Sequence, residues 1–221
     1  MILASTFVLS AVCLLFFIHS GNIKRAGELT AIVHHAIAAV IAAYAVWLSW
    51  DRVFTEAVLG SNERFPLVIT LQHFNIGYFI YDMAHVLAYD HGFILHHIVC
   101  LIGLCVPDYF QIAGLGNAVN VALAESGSLM YNYYSHKKTL KNYKLFVSVY
   151  AFTRVILLIW SVEVFRQLYL YEPGNFKQIP VWVVNVLGAS QALLILLNIQ
   201  FLYSHSSKLL KLIQATKTSA K

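Results

Sequence analysis

Charge is what this chain has least of. Only 11% of its 221 residues are charged, against about a quarter in a soluble globular domain, and this excludes an ordinary water-exposed surface. Cysteine is scarce too: Cys13, Cys100 and Cys105 all lie in apolar runs, which argues against a disulfide scaffold and for buried thiols. There are four prolines, no Asn-x-Ser/Thr acceptor, no low-complexity stretch and no internal repeat. What remains is apolar. The mean hydropathy is +0.68 and 59% of residues are hydrophobic, collected in long blocks. A net charge of +5 suits topology and anionic headgroups better than nucleic acid, because the lysines fall in short segments beside those blocks.

Against a requirement of about 20 apolar residues per crossing, the sequence supports seven spans in an all-α, polytopic membrane protein: Ile2 to Ile18, Ala31 to Trp50, Leu67 to Tyr89, Phe93 to Val106, Tyr109 to Tyr133, Leu145 to Tyr169 and Ile179 to Tyr203. The fourth is short. Its 14 residues would reach only about 21 Å as a helix. Trp50, Tyr89, Tyr109, Tyr133, Tyr169 and Tyr203 stand at span ends, where aromatic rings favour the interface. Pro66, Pro107 and Pro180 mark boundaries. The first span has no basic residue before it and Lys24 and Arg25 after it, so it reads as an uncleaved anchor. Ten Lys/Arg residues, in the first and fifth connections and the tail, then fall on the cytosolic side. Arg52, Arg64, Arg166 and Lys177 fall opposite. The expected orientation is N-terminus luminal and C-terminus cytosolic.

Ionisable groups inside such spans are costly and mark function by default. His96 and His97 interrupt the run FILHHIVCLIGLCV. Taking about 1.5 Å of rise per residue, they lie roughly 5 Å from the cytosolic end, Asp82 roughly 10 Å, Glu125 about 12 Å and Arg154 about 14 Å. These groups pair if they meet in one cavity. Helical spacing supports such a meeting: Tyr78, Asp82, His85 and Tyr89 share one face, as do Asn117, Glu125, Ser128 and Asn132. Interhelical hydrogen bonding competes as an explanation for the Asn and Tyr positions. Neighbouring helical residues diverge by about 100°, so one of His96 and His97 faces the cavity while the other braces a neighbour. His34–His35, with no adjacent carboxylate, reads as structural or water-facing. His73 and Glu163 read as packing at the opposite end. His85, His96 or His97 with Asp82 offer metal ligands, but no His pair has the i, i+4 spacing of helical zinc sites, so acid/base work suits His96 and His97 better and no metal is expected.

The stretch YFIYDMAHVLAYDHGFILHHIVCLIG, Tyr78 to Gly103, followed by ALAESGSLMYN, Ala122 to Asn132, resembles the TLC-domain family, which includes the ceramide synthases. The resemblance spans roughly Glu28 to Tyr203. It implies a six-helix bundle around a cytosol-facing cavity, preceded by one N-terminal helix. The organisation expected is an N-terminal helix and connection (1–27), a TLC-like membrane domain (28–203) and a basic cytosolic tail (204–221).

The resemblance also implies a multi-pass protein of the endoplasmic reticulum or related endomembranes, acting in lipid homeostasis. Its partners would be membrane lipids, with no tightly bound cofactor. Acyl transfer to a sphingoid base or phospholipid would use acyl-CoA as co-substrate. His96, His97 and Asp82 are then the catalytic candidates, and Glu125, Arg154, Asn132, Tyr78 and His85 the substrate-binding ones. The alternative is a non-catalytic lipid-binding regulator or sensor of membrane composition. Ceramide synthases carry further acids after the His pair, where this chain has Asn117 and Asn120. Carboxamides cannot serve as general bases, and this aligns the chain with the small TLC-domain proteins.

Overall fold

The computed structural model describes residues 1–62, 65–170 and 179–219, with side chains to residue 216. These residues are helical throughout, with one isolated antiparallel bridge between Ser61 and Ile112 and no strand. The expected positions of Arg64, Lys177, Lys217 and Lys221 lie outside the described residues or side chains.

Each boundary has a local cause. Helix α1 (Ile2–Ser20) stops at Gly21, whose φ of 63° lets its N–H return to the Phe17 carbonyl. Helix α2 (Ile23–Leu48) starts where the Asn22 side chain accepts the Arg25 N–H. After a 3-10 turn at Trp50–Arg52 comes the short α3 (Val53–Glu56). Pro66 opens α4 (Pro66–Tyr89), where its missing N–H costs nothing. A 3-10 turn at His91–Phe93 leads into α5 (Ile94–Phe110), then α6 (Gly114–His136). Thr139 caps α7 (Leu140–Tyr169) by accepting the Asn142 N–H. Helix α8 (Val181–Ser219) runs on through the segment expected as a basic tail.

Five segments are long and apolar enough to cross a membrane: Ile2–Ser20, Ile23–Leu48, His91–Phe110, Leu140–Tyr169 and Val181–Thr216. Helices α4 and α6 have 24 and 23 residues, about 35 Å of rise each. They carry more polar residues because each turns a polar face inward, as described below. The short fourth span was bounded too tightly. Pro107 does not end it but lies inside α5, which continues through Asp108 and Tyr109 to Phe110. The break comes instead at residues 111–113, where Gln111 and Ala113 adopt positive φ. Asn62 holds this connection. Its Nδ2 donates to the Ile112 carbonyl at 3.0 Å and its Oδ1 accepts the Gly114 N–H at 2.7 Å.

Packing runs in a closed order: α2 against α6, α6 against α7, α7 against α8, α8 against α5, α5 against α4, and α4 back against α2. Helix α1 lies outside, against α2 and α4. Small residues permit the tight contacts, including the buried Ala31, Ala38, Ala42 and Ala45 of α2. At Gly77 an added Cβ would stand 2.6 Å from the Ser5 Cβ, so α1 and α4 cross nearly backbone to backbone. Thr6 Oγ1 donates to the Gly77 carbonyl at 3.1 Å in the same crossing. One end of the assembly is sealed by Ala57, Val58, Leu59, Ile112 and Leu115. Gln167 pins this plug by accepting the Val58 N–H and donating to the Val53 carbonyl.

Candidate functional site

A cavity of about 370 Å³ occupies the space between the helices, within the range of ordinary ligand sites. It is layered. Val58, Ala113, Leu157, Val164 and Leu187 line its closed, mainly apolar end, with Asn117, Asn120, Ser190 and Gln191 between them and the belt. Asp82, His35, His96, His97, Glu125 and Arg154 form a polar belt, and Lys24, Glu28, Asp90 and Lys138 stand at the charged end. All eight residues singled out from the sequence line this one cavity: Tyr78, Asp82, His85, His96, His97, Glu125, Asn132 and Arg154. Tyr89, Asn117 and Ser128 line it as well, so both polar faces read from helical spacing point inward.

The two adjacent histidines of α5 divide their roles. His97 is buried, with Nε2 at 2.9 Å from Asp82 Oδ2 and Nδ1 at 3.0 Å from the Phe93 carbonyl. Both neighbours accept hydrogen bonds. His97 Nε2–H donates to the Asp82 carboxylate, and Nδ1 faces the Phe93 carbonyl. Both ring nitrogens of His97 are thus engaged within the protein. Asp82 and His97 therefore make a locked pair that ties α4 to α5. His96 is the uncommitted ring. It faces the cavity, with the Cys100 Sγ of its own helix 3.6 Å from Nε2.

Glu125 and Arg154 do not pair with each other. Glu125 is bound to His35 Nδ1 of α2, so His34–His35 is not a structural or water-facing pair remote from any carboxylate. His34 is 0% exposed, stacked on Tyr78 with ring centroids 3.6 Å apart. Arg154 makes no ion pair among the described residues. Its guanidinium donates to Asn198 Oδ1 at 2.6 Å and to the carbonyls of Leu123 and Ala124, and lies 4.1 Å over the Tyr150 ring. Gly127 makes room for it, since a Cβ there would approach Arg154 Nη1 to 3.2 Å. Asn132 Nδ2 donates within its own helix to Ser128. The His85 ring rests against Gly27, where a Cβ would lie 2.5 Å from its Cε1.

Asn117 has a structural task. Pro107 has no N–H, so the Gly103 carbonyl one turn earlier loses its helical donor. Asn117 Nδ2 supplies the missing hydrogen bond at 3.3 Å from the neighbouring helix. Asn120 donates to Gln191 Oε1, whose amide continues to Ser161, joining α6, α8 and α7. At the far end His73 pairs with Asp108, and Glu163 accepts from Arg166 and Gln167. These groups fasten the closed end, as their position suggested.

Sequence reasoning missed His34, His35 and Asn198. The first two carried a visible signal, a second His-His pair that helical rise puts roughly 5 Å from the same end as the first. Comparison with known protein families, with curated proteins and with solved structures returns no match.

Proposed function

We propose that this protein is a seven-span, TLC-type membrane protein that binds an amphipathic lipid within its helix bundle and transfers an acyl group there. The observation that carries the reading is the layered cavity, mainly apolar at its closed end, charged at the other, with an unshared imidazole between. An acyl tail fits the apolar end and a polar head fits the His, Glu and Arg belt. The closed order of six helices with α1 outside supports the bundle. The inward polar faces of α4 and α6 account for their lower hydropathy and support counting them as spans. Lys24 and Lys138 share one end of the cavity, while Arg166 donates to the Phe54 carbonyl at the opposite end of the bundle. That distribution supports a cytosol-facing opening and a luminal N-terminus, in the endoplasmic reticulum or a neighbouring endomembrane.

In this reading His96 is the general base and His97–Asp82 positions it from behind. His96 takes the proton of an amine or hydroxyl acceptor as that atom attacks the thioester carbonyl of acyl-CoA. The new C–N or C–O bond forms, the C–S bond breaks, and the proton passes to the departing thiolate. Tyr78, His85, Glu125, Asn132 and Arg154 hold the polar portion of the lipid. A cavity that holds a lipid without reacting would make the chain a regulator or sensor instead.

The test compares lipid profiles of cells expressing wild type and His96→Ala. Because the His96 ring makes no hydrogen bond to another helix and only an edge contact with Phe79, the variant should reach normal abundance while its product lipid falls. A profile unchanged at normal abundance removes the catalytic reading. Lipid that co-purifies with both proteins would then leave binding alone.

A further inference from the structure

His34 is an anomaly that the lipid site does not use. It is wholly enclosed, and neither ring nitrogen has a hydrogen-bond partner. Burying an imidazole in this way is costly, and a phenyl ring would stack on Tyr78 equally well. The Asn75 carboxamide, whose Oδ1 also lacks a partner, lies beside the ring and can serve one nitrogen at most. Something else must account for the second. One ligand atom each from His34, His35 and Glu125 falls within 4.8 Å of the others, and all three residues are buried.

We infer that His34, His35 and Glu125 form a binding site for a divalent transition metal, with zinc the best chemical fit. Two imidazoles and one carboxylate are a zinc donor set, and three protein ligands leave a fourth position exchangeable. His35 Nδ1 and Glu125 Oε2 are already in contact, and the metal replaces that hydrogen bond as the two groups part to ligand spacing. Tetrahedral coordination at about 2.0–2.1 Å sets ligand atoms about 3.3 Å apart. From a separation of at most 4.8 Å, His34 reaches that spacing by a ring movement of about 1.5 Å. Asn75 then orients the His34 ring from its far side, as outer partners of metal-bound histidines do. His35 and Glu125 line the cavity, so the fourth position opens toward bound ligand. The spacing rule for helical zinc sites missed this cluster because its donors come from adjacent residues of α2 and from α6, ninety positions on. The inference does not depend on the lipid reading.

The full chain, purified in detergent without chelator, is assayed for metals by mass spectrometry and titrated with Co²⁺ after chelation. Wild type should hold about one equivalent of zinc and give the intense visible bands of four-coordinate Co²⁺. Glu125→Gln and His34→Phe should each lose metal by tenfold or more, a ligand costing at least the roughly 10–100-fold of an outer partner. Asp82→Asn should keep it. Chelation should lower the melting temperature of wild type and leave His34→Phe unmoved. His34→Phe keeps the ring against Tyr78, so it separates metal loss from misfolding, and the wild-type measurement needs no variant. Metal-free wild type with no Co²⁺ bands overturns the inference. So does metal retained in His34→Phe, or a His34→Phe protein that melts above wild type with neither responding to chelator.

Discussion

Replacing Asn117 by alanine should weaken the fold only while Pro107 is present. Proline at 107 deprives the Gly103 carbonyl of its i+4 donor, and Asn117 repairs the gap from α6 at 3.3 Å. Polar contacts between membrane helices average about 0.6 kcal/mol and reach about 1.7. The bond is long and partly buried, so the lower half of that range applies. Asn117→Ala should therefore cost about 0.5–1 kcal/mol. In a Pro107→Ala background residue 107 regains an N–H, Gly103 is served within its own helix, and the same substitution should cost close to nothing. The coupling energy of the double-mutant cycle is then nearly the whole effect. Reversible unfolding in mixed detergent micelles reads it. An equal cost in both backgrounds would refute the repair. So would a stable Asn117→Ala protein that loses only lipid binding, because that result would make Asn117 a ligand contact.

Two further substitutions probe the frame around the cavity. Asp82→Asn can turn its amide to donate to His97 Nε2, so it should cost less than about 1 kcal/mol, whereas His97→Ala strands a buried carboxylate and should cost about 3–5 kcal/mol; equal losses from the two, measured by the same unfolding, would count against the locked pair. Gly77→Ala sets a Cβ 2.6 Å from Ser5 and 2.9 Å from the Ile2 carbonyl. It should push α1 away at a cost of about 1–3 kcal/mol, seen as faster proteolysis near Gly21, and unchanged cleavage would mean that the crossing relaxes freely.

Distance along the helix axes was legible in the sequence; position around the bundle was not. Counting rise per residue put Asp82, His96, His97, Glu125 and Arg154 at similar heights, and the helical period gave α4 and α6 their polar faces. Those two rules brought all eight chosen residues to one cavity. Which helix stands beside which depends on packing through residues such as the α2 alanines, and no period encodes it. Hence Glu125, counted with Arg154 among the substrate-binding residues, is held by His35 instead. Pro107 misled for a related reason: a proline ends a helix unless a neighbour serves the freed carbonyl, and that neighbour comes from α6. The His96–His97 ambiguity was resolved only by the acceptors flanking His97.

Those acceptors have a mechanical consequence. The Phe93 carbonyl fixes the His97 ring to its own helix, and Asp82 fixes it to α4. Any rotation of α5 about its axis pulls on α4 through that ring, so the two helices should move as one body.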